Sequence, residues 1–201
     1  MDTAGNGLMI AIEGLDQSGK QTQAELLRDR LKQAGRRARL VSFPDYGTSI
    51  GEEIARALAG EREYGPDVMQ LLYTANRYER KDDLTRWLEG GLVLVCDRYT
   101  ASSVAYGEAQ GLDPGWLTEL QKFLPPASLT ILLDIAPETA VQRKAVGRDR
   151  YERDLELQRL VRASYQRQAR EQNWVVLDGD GPKEEIATAA LTAVTSRLEL
   201  R

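Results

Sequence analysis

The chain has 201 residues, 42% hydrophobic and 29% charged, and Lys+Arg 27 against Asp+Glu 31 leaves a net charge of -4. That length fills one well-buried core rather than two, so a single domain over 1–201 is expected, and the mild acidity offers no general pull toward nucleic acid. No histidine and one cysteine, Cys96, exclude His-based acid-base chemistry, most zinc sites and an internal disulfide, while the absence of a basic leader or a run of about 20 apolar residues points to a cytoplasmic protein with no membrane partner.

In chain order, "LMIAIE" at 8–13 is the first nearly continuous apolar run, the pattern of a buried parallel strand. A helical pattern over 20–34 follows and stops at Gly35. The second strand is "ARLVSF" at 38–43, before helical segments around 50–59 and from Pro66 to about Glu89. Apolar positions within 50–59 and 66–76 suit either a dimer face or core. "LVLVC" at 92–96 is the third strand, and a helical stretch follows Pro114. "LTILLDI" at 129–135 and "WVVLD" at 174–178 complete five strands, separated by helical patterns over 137–146 and 154–172 and followed by one over 183–199. Pro66, Pro114 and Pro137 stand where a first helical turn accepts proline, and Gly90 and Gly91 mark a helix end. Such alternation predicts a doubly wound α/β fold, a five-stranded parallel sheet wrapped by helices on both faces.

The turn after the first strand reads almost as G-x-x-x-x-G-K-[ST]. Gly14, Gly19 and Lys20 are in register, but Gln21 holds the hydroxyl position and the nearest hydroxyl is Thr22. A strand before Gly14 and a helix opening at Lys20 give the pattern its mechanism. Backbone N–H groups of Gly14, Leu15, Asp16, Gln17, Ser18, Gly19, Lys20, Gln21 and Thr22 can point inward as a concave nest for the phosphates of a nucleotide such as ATP, with Lys20 as a mobile charge; the plain alternative is a tight turn whose glycines only relieve strain. Mg²⁺ keeps several waters and takes other ligands from phosphates, so losing one hydroxyl weakens the metal site without abolishing it. Gln21 reads equally as a metal contact or as a helix former on an exposed first turn. Asp97, ending a parallel strand, points into the crevice where such sheets bind ligands, a Walker B arrangement and the second metal candidate.

Five stretches in order, "EGLDQSGKQTQ", "SFPDYGTSIG", "LLYTANR", "DRYTASSVAY" and "GRDRYERD", resemble thymidylate kinases (dTMP kinases), members of the nucleoside monophosphate kinase family of P-loop enzymes. The resemblance runs along essentially the whole chain, and "LLYTANR" with "DRYTASSVAY" is its specific part. It implies phosphoryl transfer from Mg-ATP to dTMP, giving dTDP and ADP, in a homodimer. Asp16 matches an acidic residue that accepts from the deoxyribose 3'-hydroxyl, and Tyr73 an aromatic that stacks on thymine, worth about 1–3 kcal/mol. Arg77, one turn along, matches a donor to a thymine carbonyl. Arg98 matches the fork on the acceptor phosphate. Ser103 is the candidate for the thymine N–H, and Tyr106 matches the ring that crowds out a 2'-hydroxyl.

Residues 143–154, "RKAVGRDRYERD", resemble the lid, with Arg143 assigned to ATP. The loop position that carries an arginine in one branch of the family is Gln17, and the other branch draws its catalytic arginine from the lid. Arg148 or Arg150 is therefore the candidate beside Lys20, Asp97 and Arg98, in a role worth about 10³–10⁵ in rate. Two departures stand out besides Gln21. Tyr46 occupies a place where several relatives have an arginine near the acceptor phosphate, and "GEAQGL" after Tyr106 is a shortened loop. The rivals are a kinase for another deoxynucleotide or a deoxynucleoside, and a catalytically weakened nucleotide-binding protein.

Overall fold

The computed structural model describes residues 7–143 and 154–198. Five strands lie on the five apolar runs: β1 (Leu8–Gly14), β2 (Ala38–Ser42), β3 (Val93–Asp97), β4 (Leu129–Asp134) and β5 (Val175–Asp178). They form one sheet in the order β2-β3-β1-β4-β5, every neighbouring pair parallel, with Ile12 opposite Asp97 and Gly14 opposite Leu133. The helices are α1 (Lys20–Gln33), α2 (Ser49–Leu58), α3 (Pro66–Glu79), α4 (Lys81–Glu89), α5 (Thr100–Ala109), α6 (Pro114–Glu119), α7 (Pro137–Arg143), α8 (Leu155–Glu171) and α9 (Lys183–Arg197).

Helices cover both faces, which is why the strands read as continuous apolar runs rather than alternating ones. The pleat of β1 sends Ile10 and Ile12 into one cluster with Leu27 and Leu31 of α1 and Ala190 and Val194 of α9. Met9 and Ala11 go to the opposite face, against Leu84 of α4 and Tyr99. Glu13 lies on that same side by alternation and is fully buried. A third cluster joins Leu15 and Leu132 to Ala105 of α5 and to Val161 and Tyr165 of α8. Each fully buried Ile or Leu contributes about 1.5–3 kcal/mol, so the central strand is anchored from both sides before any polar contact is counted.

Two elements differ from expectation. The single helical stretch from Pro66 to Glu89 is two helices that meet at Arg80, which stays in the right-handed region with a φ of -97° and a ψ of -2°. Its N–H bonds Arg77 O instead of the carbonyl four residues back, and its guanidinium is drawn toward Asp45 and Asp83, each 3.2 Å away. Helix α5 was not expected at all. Its small residues, Ala101, Ser102, Ser103, Ala105 and Gly107, are buried, so no polar stripe reveals a helical period.

Candidate active site

β1 runs into its turn at Gly14, whose φ of 146° suits glycine and where a Cβ would stand 2.5 Å from Leu133 O. Gln17 and Gly19 take positive φ as well, 63° and 89°, and the chain enters α1 at Lys20. The Lys20 ammonium is folded back on this turn, donating to Leu15 O at 2.5 Å. Burial, then repulsion from Arg98, brings it down to about 8 from its ordinary 10.5, against the pull of Asp16, Asp97 and Glu13. Leu15 has its side chain in the core, so only its backbone can meet a ligand. Arg143 donates to Gln17 O at 3.1 Å, Gly179 O at 3.0 Å and Asp180 at 2.9 Å, bracing the turn from the β5 side.

Over the turn lies an open cleft of about 1060 Å³ walled by Lys20, Gln21, Thr22, Ser42 and Asp97 among others. Asp97 Oδ1 is buried with no hydrogen-bond partner, an unsatisfied carboxylate oxygen at the wall of this cleft. A hard cation held by one carboxylate plus nucleotide phosphates fits that donor set. Among the described residues no cluster of three or more His, Cys, Asp or Glu could hold a metal by itself. Gln21 Nε2 donates to Glu25 at 3.1 Å, one turn along α1 on the exposed face, which is the geometry of the helix-former reading.

A second cleft lies beside the first. Gln70, Tyr73 and Arg77 enter it from one face of α3, Ser102, Ser103 and Tyr106 from α5, and Tyr46 from the mouth, half-exposed. Arg77 is buried and its Nη1 donates to Ser103 Oγ at 2.8 Å, Tyr73 O at 3.2 Å and Gln121 Oε1 at 3.3 Å. Its Nε has no partner. Burial lowers the Arg77 pKa.

The clefts share Asp16, Phe43, Pro44, Tyr46 and Arg98. Arg98 has a φ of 64°, and its N–H bonds Ile12 O at 3.0 Å, so the chain turns from β3 into α5 while the guanidinium reaches back over the end of β1. A non-glycine residue in this region costs of order 1–3 kcal/mol, offset here by a full set of acceptors. Arg98 pairs with Asp16 and donates to Gly14 O at 3.1 Å, Tyr165 OH at 3.1 Å and Ser102 Oγ at 3.2 Å. Tyr106 OH donates to Asp16 at 2.9 Å. Burial alone would raise the Asp16 carboxyl, but Arg98 and Lys20 outweigh it and hold the group well below its ordinary range.

The structure thus brings Asp16, Tyr46, Tyr73, Arg77, Arg98, Ser103 and Tyr106 into one cleft and Gly19, Lys20, Gln21, Thr22 and Asp97 into its neighbour. Arg148 and Arg150, with most of the expected lid, lie outside the described residues. Sequence reasoning assigned no role to Phe43 and Glu13, although they lie in "SFPDYGTSIG" and "EGLDQSGKQTQ", and missed Gln70 and Gln121, which stand outside every quoted stretch.

A family model described as thymidylate kinase matches residues 12–190. The thymidylate kinase of Schizosaccharomyces pombe is 33% identical over 201 residues, covering 98% of this chain and 95% of that protein. That of Thermomicrobium roseum is 38% identical over 197 residues, covering 92% and 93%. Among solved structures, a thymidylate kinase from Candida albicans superposes with a TM-score of 0.81 at 27% identity, over 96% of this chain and 93% of that one. With the parallel sheet, the glycine-bounded turn after β1 and the adjoining clefts in place, the chain belongs to the thymidylate kinase family.

Proposed function

We propose that the protein transfers the γ-phosphoryl group of ATP to dTMP, releasing dTDP and ADP. One observation carries the reading: the cleft above the phosphate-binding turn and the cleft lined by Tyr73 and Arg77 meet at Arg98 and Asp16. A donor in the first and an acceptor in the second would present their phosphates to each other at that seam. The bond between the γ-phosphorus and the β–γ bridging oxygen breaks, and an oxygen of the dTMP phosphate forms the new one. The acceptor is already anionic, so no general base is needed, and positioning with charge neutralisation supplies the acceleration.

In this reading the nest from Gly14 to Thr22 cradles the ATP phosphates, and Lys20 leaves Leu15 O for the outer phosphates. Tyr73 stacks on the base, Arg77 and Ser103 read its polar edge, and Tyr106 crowds the sugar 2'-position. Arg98 grips the acceptor phosphate with a planar fork. Asp97 is the residue that would hold Mg²⁺, and a bound Mg²⁺ would neutralise phosphate charge. Residues 1–201 act as one kinase domain, with 143–154 as the lid that excludes water and Arg148 or Arg150 as its cation. Val68 and Leu71, exposed apolar residues on α3, suit the homodimer we infer. Among the described residues no helix is long and apolar enough to cross a membrane, and the free, buried Cys96 fits a cytoplasmic location.

Steady-state ADP release with dTMP, dCMP and thymidine as alternative acceptors tests the assignment. The expected order is dTMP well above dCMP, with thymidine inert because it has no phosphate for Arg98. Preferred use of thymidine would assign the protein to a nucleoside kinase instead.

A further inference from the structure

We propose that Glu13 is a positioning residue for Arg98, acting through the hydroxyls of Ser102 and Tyr165. The inference rests on the dTMP kinase reading and extends it to Glu13 and Tyr165, which line neither cleft. Glu13 is fully buried at the end of β1, and its carboxylate accepts from Tyr99 N–H at 2.8 Å, Ser102 Oγ at 2.6 Å and Tyr165 OH at 3.1 Å. Those two hydroxyls also accept from Arg98 Nη1.

The direction of each hydrogen bond follows from donor counts. An ionised carboxylate only accepts, a guanidinium only donates, and a hydroxyl has one proton to give. Ser102 gives its proton to Glu13, so its lone pairs face Arg98 and Tyr165. Tyr165, 2.8 Å from Ser102, must then be the donor in that contact or give its proton to Glu13; either way its lone pairs are left for Arg98. Burial pushes the Tyr165 phenol far above its ordinary value, so the proton stays in place. An acceptor-only group at one end and a donor-only group at the other therefore fix the polarity of the whole chain of contacts. Three acceptors, Gly14 O, Ser102 Oγ and Tyr165 OH, converge on Nη1 and set the plane of the guanidinium.

A plain core role for Glu13 explains less. Burying a carboxylate costs several kcal/mol even when paired, and an apolar residue would pack there at lower cost. The network also draws on distant parts of the chain: Glu13 is on β1, Ser102 on α5 and Tyr165 on α8. Tyr165→Phe keeps the ring packing and removes one acceptor, while Glu13→Gln replaces an acceptor oxygen with a donor facing two hydroxyls.

Calorimetric binding of dTMP and of thymidine to the wild type, Glu13→Gln and Tyr165→Phe separates positioning from general damage, since only dTMP has the phosphate that Arg98 would hold. The expected result is about tenfold weaker dTMP binding in each variant, with thymidine affinity within about twofold of wild type. Unchanged dTMP affinity in Tyr165→Phe, or equal losses for both ligands, would overturn the inference. If Glu13→Gln does not fold, Tyr165→Phe decides alone. A wild type that binds neither ligand would instead remove the dTMP kinase reading, and the positioning role with it.

Discussion

Asp16 and Arg98 form an ion pair across the ends of β1 and β3, on the seam that both clefts share. Asp16 leaves the sheet just after Gly14 and Arg98 just after Asp97, so the parallel register of two central strands delivers the pair. Tyr106 ties Asp16 to α5, and Ser102 and Tyr165 tie Arg98 to α5 and α8. The Arg98 guanidinium is thus held by partners from three elements of the fold.

The pair makes stability depend on pH in a defined sense. The folded-state Asp16 carboxyl lies well below its ordinary 3.8, so its contribution is present above the ordinary value and is lost progressively as pH falls below it toward the folded-state value. At pH 7, Asp16→Asn is expected to cost about 1–3 kcal/mol, because it leaves Arg98 without its counter-charge. Denaturant melts of both proteins from pH 7 to pH 3 should show the gap narrowing toward acid. A gap that stays constant would contradict the assignment.

Arg77→Lys should raise the KM for dTMP about tenfold or more while changing kcat much less. A lysine cannot hold Ser103, Gln121 and Tyr73 O together and still present a planar donor to a base. Steady-state kinetics with ATP saturating reads the split. An effect confined to kcat would move Arg77 out of ground-state binding.

At Gln21 the two readings separate cleanly. Its amide donates to Glu25 along α1, so Gln21→Ala should leave the Mg²⁺ concentration for half-maximal rate unchanged. Gln21→Ser should lower it, by restoring a hydroxyl beside the phosphates. A large rise in Gln21→Ala would make the glutamine a metal contact after all.

Cys96 lies fully buried in β3, and burial, then Glu13 and Asp97, push its thiol far above its ordinary value. Labelling with a thiol reagent at pH 8 is therefore expected to be silent in the native protein and to appear with the unfolding transition. Rapid labelling without unfolding would contradict the burial of β3.

The three central strands, β1, β3 and β4, were legible because burial on both faces requires apolar residues at nearly every position; the edge strands β2 and β5 are partly exposed and carry shorter apolar runs. Helix α5 was illegible for the complementary reason: packed on nearly all sides by small residues, it has no polar stripe to mark a period. The break at Arg80 was hidden because nothing in "ANRYERKDD" forbids a continuous helix; tertiary partners Asp45 and Asp83 accompany the bend. In the clefts, residues within "LLYTANR" and "DRYTASSVAY" could be placed by motif. Gln121 reaches Arg77 across 44 residues and Glu13 reaches Tyr165 across 152, separations that no local pattern encodes.

The most direct test of the central claim follows the label from γ-labelled ATP, incubated with the wild-type protein, Mg²⁺ and dTMP, into separated products. The account predicts label in dTDP, dependent on dTMP and abolished in Lys20→Ala. Label recovered only as inorganic phosphate, or no dTDP at any Mg²⁺ concentration, would contradict it.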